Sequence, residues 1–175
     1  MPFDCCPALL NEVLLDWYRS EADVDWQTEH REPFERQRGM RPEVELADEA
    51  VRYLKGSLLQ CRSDPRPFFD LYQTSWFKAY VTLQELMTAI AIDSWGRPAP
   101  GTIGEVAPRS GVNERPVPRS AGRLILLSTT DAPGARLILL DGYRRSERLI
   151  DEALAMPIPV FWGVCEQLAE WDYYR

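Results

Sequence analysis

Residues 123–164 read RLILLSTTDAPGARLILLDGYRRSERLIDEALAMPIPVFWGV, and the order of patterns in this stretch sets the fold class. The runs Arg123-Leu124-Ile125-Leu126-Leu127 and Arg136-Leu137-Ile138-Leu139-Leu140 are near copies, separated by Asp131-Ala132-Pro133-Gly134. Proline presets one turn dihedral and glycine supplies positive φ, so that spacer predicts a tight reversal. Two short apolar runs joined by it predict an antiparallel hairpin with both faces largely covered. The second run ends at Asp141-Gly142. A helical pattern follows over residues 143–155, then a strand over 158–164, then a short amphipathic helix over 165–174. Strand, turn, strand, helix, strand is an α+β arrangement built on a small mixed sheet.

Working toward the N-terminus, the character becomes helical. Leu9, Leu10, Val13, Leu14, Trp17 and Tyr18 recur on one helical face, predicting a helix over 7–20, with the small thiols Cys5 and Cys6 at its start. Residues 21–42 are charged and aperiodic and are expected to form a loop. Leu46, Ala47, Ala50, Val51, Leu54 and Leu58 predict a helix over 44–61, and Pro65 and Pro67 end it. Residues 68–80 are dense in aromatics and fit either helix or strand. Thr82-Leu83-Gln84-Glu85 has capping-box form, with Leu83, Leu86, Met87 and Ile90 as the buried stripe behind it. Between residues 96 and 119, five prolines alternate with four glycines, which precludes a long helix and leaves a linker or a packed functional loop. The chain therefore divides into a helical N-terminal region, 1–95, and an α/β region, 96–175, expected to pack as one compact unit.

Composition narrows the function classes. Forty-five per cent hydrophobic residues, with six Trp, seven Tyr and six Phe among 175, argue for a folded chain rather than a disordered one. Trp17, Trp76 and Trp95 sit at core-like spacing and are read as core rather than as base-stacking platforms. No apolar run approaches the roughly 20 residues of a membrane span. MPFDCCPALL lacks the basic start of a secretory signal, so a cytoplasmic location with no membrane association is expected. The four cysteines form no Cys-x-x-Cys pair and His30 is the lone histidine, which disfavours a structural zinc site.

The net charge of -7 is unevenly spread. Residues 1–49 carry thirteen acids against five arginines, whereas residues 97–148 carry nine arginines against five acids. The C-terminal half is thus suited to an anion within an acidic protein. Duplex DNA is a disfavoured partner, because that binding needs many basic groups on one face and no helix-turn-helix is evident.

Asp141-Gly142-Tyr143-Arg144-Arg145 is where anion chemistry concentrates. Glycine at a strand-to-helix junction lets a ligand approach the backbone, and the first helical turn presents N–H groups with partial positive charge. A phosphate there gains backbone hydrogen bonds, and a neighbouring arginine adds charge-assisted ones. Arg144 and Arg148 fit a solvated helix face, with Asp151 and Glu152 in ion-pair reach of Arg148. Arg145 precedes Leu149 by four residues and borders the apolar stripe. Its guanidinium therefore needs either a ligand or a buried acid from the N-terminal half.

With those elements in order, the stretch resembles the ParB/sulfiredoxin-like superfamily. Gly142-Tyr143-Arg144-Arg145 matches its Gly-x-x-Arg phosphate-binding turn, and Ile158-Pro159-Val160 matches the strand after its helix. The resemblance covers residues 120–164 and implies a sheet of that type. It implies nucleotide phosphates held by Gly142, Tyr143, Arg144, Arg145 and Ser146. Members include nucleotide-binding partition proteins, ATP-using sulfinic acid reductases, and small-molecule kinases whose turn begins Asp-Gly. Tyr143 replaces the reductase cysteine, which argues against sulfinic acid reduction, and Tyr143-Arg144 replaces the kinase histidines.

The expected ligand is ATP or another nucleotide, or a phosphorylated small molecule. If phosphoryl passes to a small molecule or peptide, a carboxylate must activate the acceptor or hold Mg2+. Asp141 is placed for that role, and Glu29, beside His30, is the second candidate. The alternative is a noncatalytic acidic protein that binds a basic protein partner, in the manner of an immunity or inhibitor protein.

Overall fold

The computed structural model describes residues 5–13, 16, 70, 72–91, 101–106, 122–152 and 156–174. Two compact units divide the chain. The first is Met1–Ala8, Gln60–Val117 and Arg123–Arg175, and the second is Leu9–Leu59 with Pro118–Gly122. In the second, residues 10–13 and 16 are helical. The predicted helix over 44–61 and the charged loop over 21–42 lie outside the described residues.

The first unit is built on a seven-stranded mixed sheet, which makes the class α+β. In chain order its elements are β1 (Cys6–Pro7), β2 (Ser75–Val81), α1 (Leu83–Thr88), β3 (Ile90–Ala91), β4 (Gly101–Thr102), α2 (Ile103–Val106), β5 (Leu124–Ser128), β6 (Ile138–Asp141), α3 (Tyr143–Asp151) and β7 (Ile158–Val164). Two 3-10 helices, Glu166–Glu170 and Asp172–Tyr174, take the place of the α-helix expected over 165–174. Across the sheet the order is β1-β2-β7-β5-β6-β3-β4, so strands from both sides of residue 95 share one hydrogen-bonded ladder.

The hairpin forms as its sequence predicts. β5 and β6 pair antiparallel, every residue of β5 is buried, and Gly134 takes φ 77 in the turn between them. One face of the sheet presents Ala79, Val81, Ala91, Leu124, Leu126, Leu139, Val160 and Trp162 to a cluster that includes Leu86 of α1 and Ile103 and Val106 of α2. Leu149 and Ile150 of α3 pack against the same cluster. The alternate residues Trp76, Ile125, Leu127, Ile138 and Phe161 are also buried. Both faces are therefore apolar, which is why the strands read as runs rather than as alternation.

The aromatic stretch over 68–80, open between helix and strand by sequence, yields β2, paired along its whole length with β7. β7 lies in the interior of the sheet although it contains Pro159, a residue without a ladder donor. The register explains this. The β5–β7 pairing begins at Leu124 with Val160, so Pro159 lies beyond it and pairs only with Tyr80 of β2.

The start of the chain corrects the sequence reading. A helix from residue 7 is replaced by an edge strand, in which Cys6 and Pro7 pair with Lys78 and Phe77. Proline is tolerated on an edge and cannot donate within a helix, so the helical spacing takes effect only from residue 10.

α1 carries the capping box anticipated for it. The Glu85 N–H donates to Thr82 Oγ1 at 3.2 Å, and the Thr82 N–H donates to Glu85 Oε2 at 2.7 Å. We expect Thr82→Ala to cost about 1 kcal/mol of stability, the usual worth of such a cap. A denaturation midpoint unchanged from wild type would refute that assignment.

Candidate phosphate-binding turn

Pairing directions place the candidate turn. β2, β3 and β6 run one way, and β1, β4, β5 and β7 run the other. The carboxyl ends of β2 and β6 therefore fall at one end of the sheet, where α1 and α3 begin. Strand carboxyl ends are where open sheets commonly bind ligands. Here the parallel pair β5 and β7 ends on the other side, and β6 and its parallel neighbour β3 end on this one. Of the sequence-predicted residues, Asp141, Gly142, Tyr143, Arg144, Arg145 and Ser146 all lie there. Glu29 and His30 lie outside the described residues.

Gly142 is the N-cap of α3, with φ 99 and ψ 25 and no side-chain cap. The first intrahelical bond runs from the Ser146 N–H to the Gly142 carbonyl at 2.9 Å. The turn ahead of that bond is where a helix leaves N–H groups outside its own ladder. A Cβ at position 142 would lie 2.4 Å from Leu124 Cδ2, 3.2 Å from Arg145 Nη2 and 3.3 Å from Arg145 Nε. The guanidinium thus lies across the glycine at the mouth of the helix.

Arg145 does not point to the N-terminal half for its acid. Its Nη2 donates to Asp141 Oδ2 at 2.7 Å, with the two side chains 17% and 26% exposed. The two residues assigned separate roles by sequence are partners. Arg145 Nη1 is buried and has no hydrogen-bond partner among the described residues. The pairing of β5 with β6 helps create this geometry. Its register shifts between Ile125 and Leu126, so that Ile125 faces Asp141 and Leu126 faces Leu139. Leu140 is the extra residue, and it turns Asp141 away from the face strict alternation would give it.

The remaining residues of the turn sort by exposure. Arg144 is exposed. Tyr143 packs against the helix-covered core and so anchors α3. Ser146 is fully buried, and its hydroxyl donates to the Tyr143 carbonyl at 2.6 Å, which directs it into the helix rather than toward a ligand. Arg148 pairs with Glu152 at 2.6 Å, both 45% exposed, as expected of a solvated face worth a few tenths of a kcal/mol.

Arg123 is the residue that sequence reasoning passed over. It precedes β5 at the same end of the sheet, and its guanidinium lies 5.7 Å from the Tyr80 ring centroid and 5.6 Å from that of Phe161. Cation–π contact of this kind fixes an arginine where a strand begins. Sheet register alone brings it near the turn, so only its charge was visible beforehand.

Other candidates from the sequence resolve as structure. Trp76 is 5% exposed and is core, while Trp17 and Trp95 lie outside the described residues. Within the Pro/Gly-rich stretch, β4 and α2 pack Ile103 and Val106 into the core. Cys6 is exposed on edge strand β1, not on a helix start. Burial, with Cys6 and Asp131 nearby, pushes the Cys5 thiol above its usual range, which disfavours the thiolate a nucleophile needs. Among the described residues no group of three or more His, Cys, Asp or Glu is placed to hold a metal ion. None of the described helices is long and apolar enough to cross a membrane.

Comparisons with protein-family models, with curated proteins and with solved structures found no match to this chain.

Proposed function

We propose that the Asp141–Ser146 turn binds the phosphate of a nucleotide or phosphorylated small molecule, in the manner of ParB/sulfiredoxin-like proteins. One observation carries this reading: Arg145 lies over Gly142, at the open first turn of α3, at the carboxyl end of β6. The helix dipole and N–H groups supply partial positive charge, and the guanidinium supplies a full one. The absence of a Cβ at residue 142 keeps the backbone approachable. Phosphoryl transfer to a small molecule or peptide would draw on Asp141 as the carboxylate at the turn, and it would require Asp141 to leave Arg145.

A thermal-shift series with ATP, ADP, CTP and GTP, with and without magnesium, tests the reading. A nucleotide at a hundred times its dissociation constant stabilises the fold by about 2.7 kcal/mol. Calorimetry then compares wild type with Arg145→Met, which keeps the apolar stem. Loss of a charge-assisted hydrogen bond is worth about 1.5–3 kcal/mol, so affinity should fall roughly 10- to 100-fold. Arg148→Ala, on the solvated face, should leave it within about twofold. Wild-type affinity in Arg145→Met, or no stabilisation by any nucleotide, would sink the phosphate reading.

A further inference from the structure

We propose that Asp141 is an autoinhibitory contact for this turn: its carboxylate occupies the arm of Arg145 that an incoming phosphate requires, and ligand binding displaces it. The inference rests on the phosphate reading above and assigns Asp141 a regulatory role there.

The argument turns on which edge of the guanidinium is accessible. Nη2 bonds Asp141 Oδ2 at 2.7 Å, and the same atom lies 3.2 Å from the Cβ position of Gly142, with Nε at 3.3 Å. The Nε/Nη2 edge, one that can grip an oxyanion with two parallel bonds, therefore faces the mouth of α3. Nη1 is buried, so the guanidinium has no second edge to offer without unpacking. Nη2 keeps a second N–H, but a phosphate that takes it together with Nε comes to rest against the Asp141 carboxylate. Asp141 is held there by the chain itself, because it ends β6 opposite Ile125 and a glycine at φ 99 folds the next turn back over it. Its negative charge also stands where phosphate charge would arrive, and like charges repel.

A positioning role would give the opposite sign. If Asp141 serves to orient Arg145 for the ligand, removing its charge weakens binding. If it competes, removing its charge tightens binding.

Calorimetric titration of wild type and Asp141→Asn with inorganic phosphate and with ATP, at low ionic strength, decides between them. Asn keeps the shape and removes the charge. We expect affinity to rise roughly two- to fivefold, the scale of a partly exposed ion pair. The gain should shrink as salt screens the carboxylate in the wild type. Unchanged or weaker binding by Asp141→Asn, with wild type binding normally, overturns the autoinhibitory role and leaves the phosphate site standing. If neither protein binds phosphate or nucleotide, the phosphate reading itself fails. A measurement on wild type covers the case in which the variant does not fold. Saturating phosphate should shift the Asp141 carboxylate 13C resonance, and a resonance that stays in place overturns displacement.

Discussion

Gly142→Ala should destabilise the protein by about 2–5 kcal/mol. Two separate costs add. An L-residue held in the left-handed region loses roughly 1–2 kcal/mol. Forcing a methyl into a filled space costs about 1–3 kcal/mol more. Here that methyl would sit 2.4 Å from Leu124 Cδ2, a buried side chain of the central strand β5. Gly134→Ala separates the two terms. Gly134 has φ 77 and nothing within 4 Å of its Cβ position, so it should show the backbone cost alone. Urea unfolding of both variants gives the difference, with an unchanged slope confirming that only stability moved. Equal losses at the two glycines would mean that Leu124 does not press on the turn.

Leu126→Ala and Leu127→Ala should each cost about 2–5 kcal/mol, the range for deleting a buried leucine to a methyl. The pair is informative because neighbouring residues on a strand point to opposite faces. Leu126 belongs to the helix-covered cluster, whereas Leu127 lies against the Cβ position of Gly163 on the other side. Both are 0% exposed. In a sheet with one wet face, only one of the two truncations would be expensive. A Leu127→Ala loss below about 1 kcal/mol would refute the two-sided core.

The hairpin, the helix after Gly142, the strand over 158–164 and the Thr82 capping box were legible because each depends on residues close together in the chain. Turn residues, caps and apolar runs act over a few positions. β1 was not legible. Pro7 fits an edge, but an edge exists only once β2 is in place beside it. β2 itself was ambiguous because its aromatic residues suit either period, and pairing with β7 decided it. Arg145 was correctly placed at the border of the apolar stripe, yet its acid was sought in the wrong part of the chain. Asp141 precedes the N-cap, so helical spacing does not bring the two together. The positive φ at Gly142 and the bulge at Leu140 do.

By itself, then, the sequence determined the α+β class and the run of elements from residue 123 to 164. It also placed the glycine–arginine turn on a strand-to-helix junction. Those features follow from local dihedral preference and from the period of apolar residues. Only the tertiary structure decided the seven-strand order, the alignment of β2, β3 and β6, and the carboxylate that faces Arg145. Strand order reflects which apolar faces are buried against each other across more than a hundred residues, and no local spacing encodes it. The Asp141–Arg145 contact likewise depends on one backbone angle and one extra residue in a ladder.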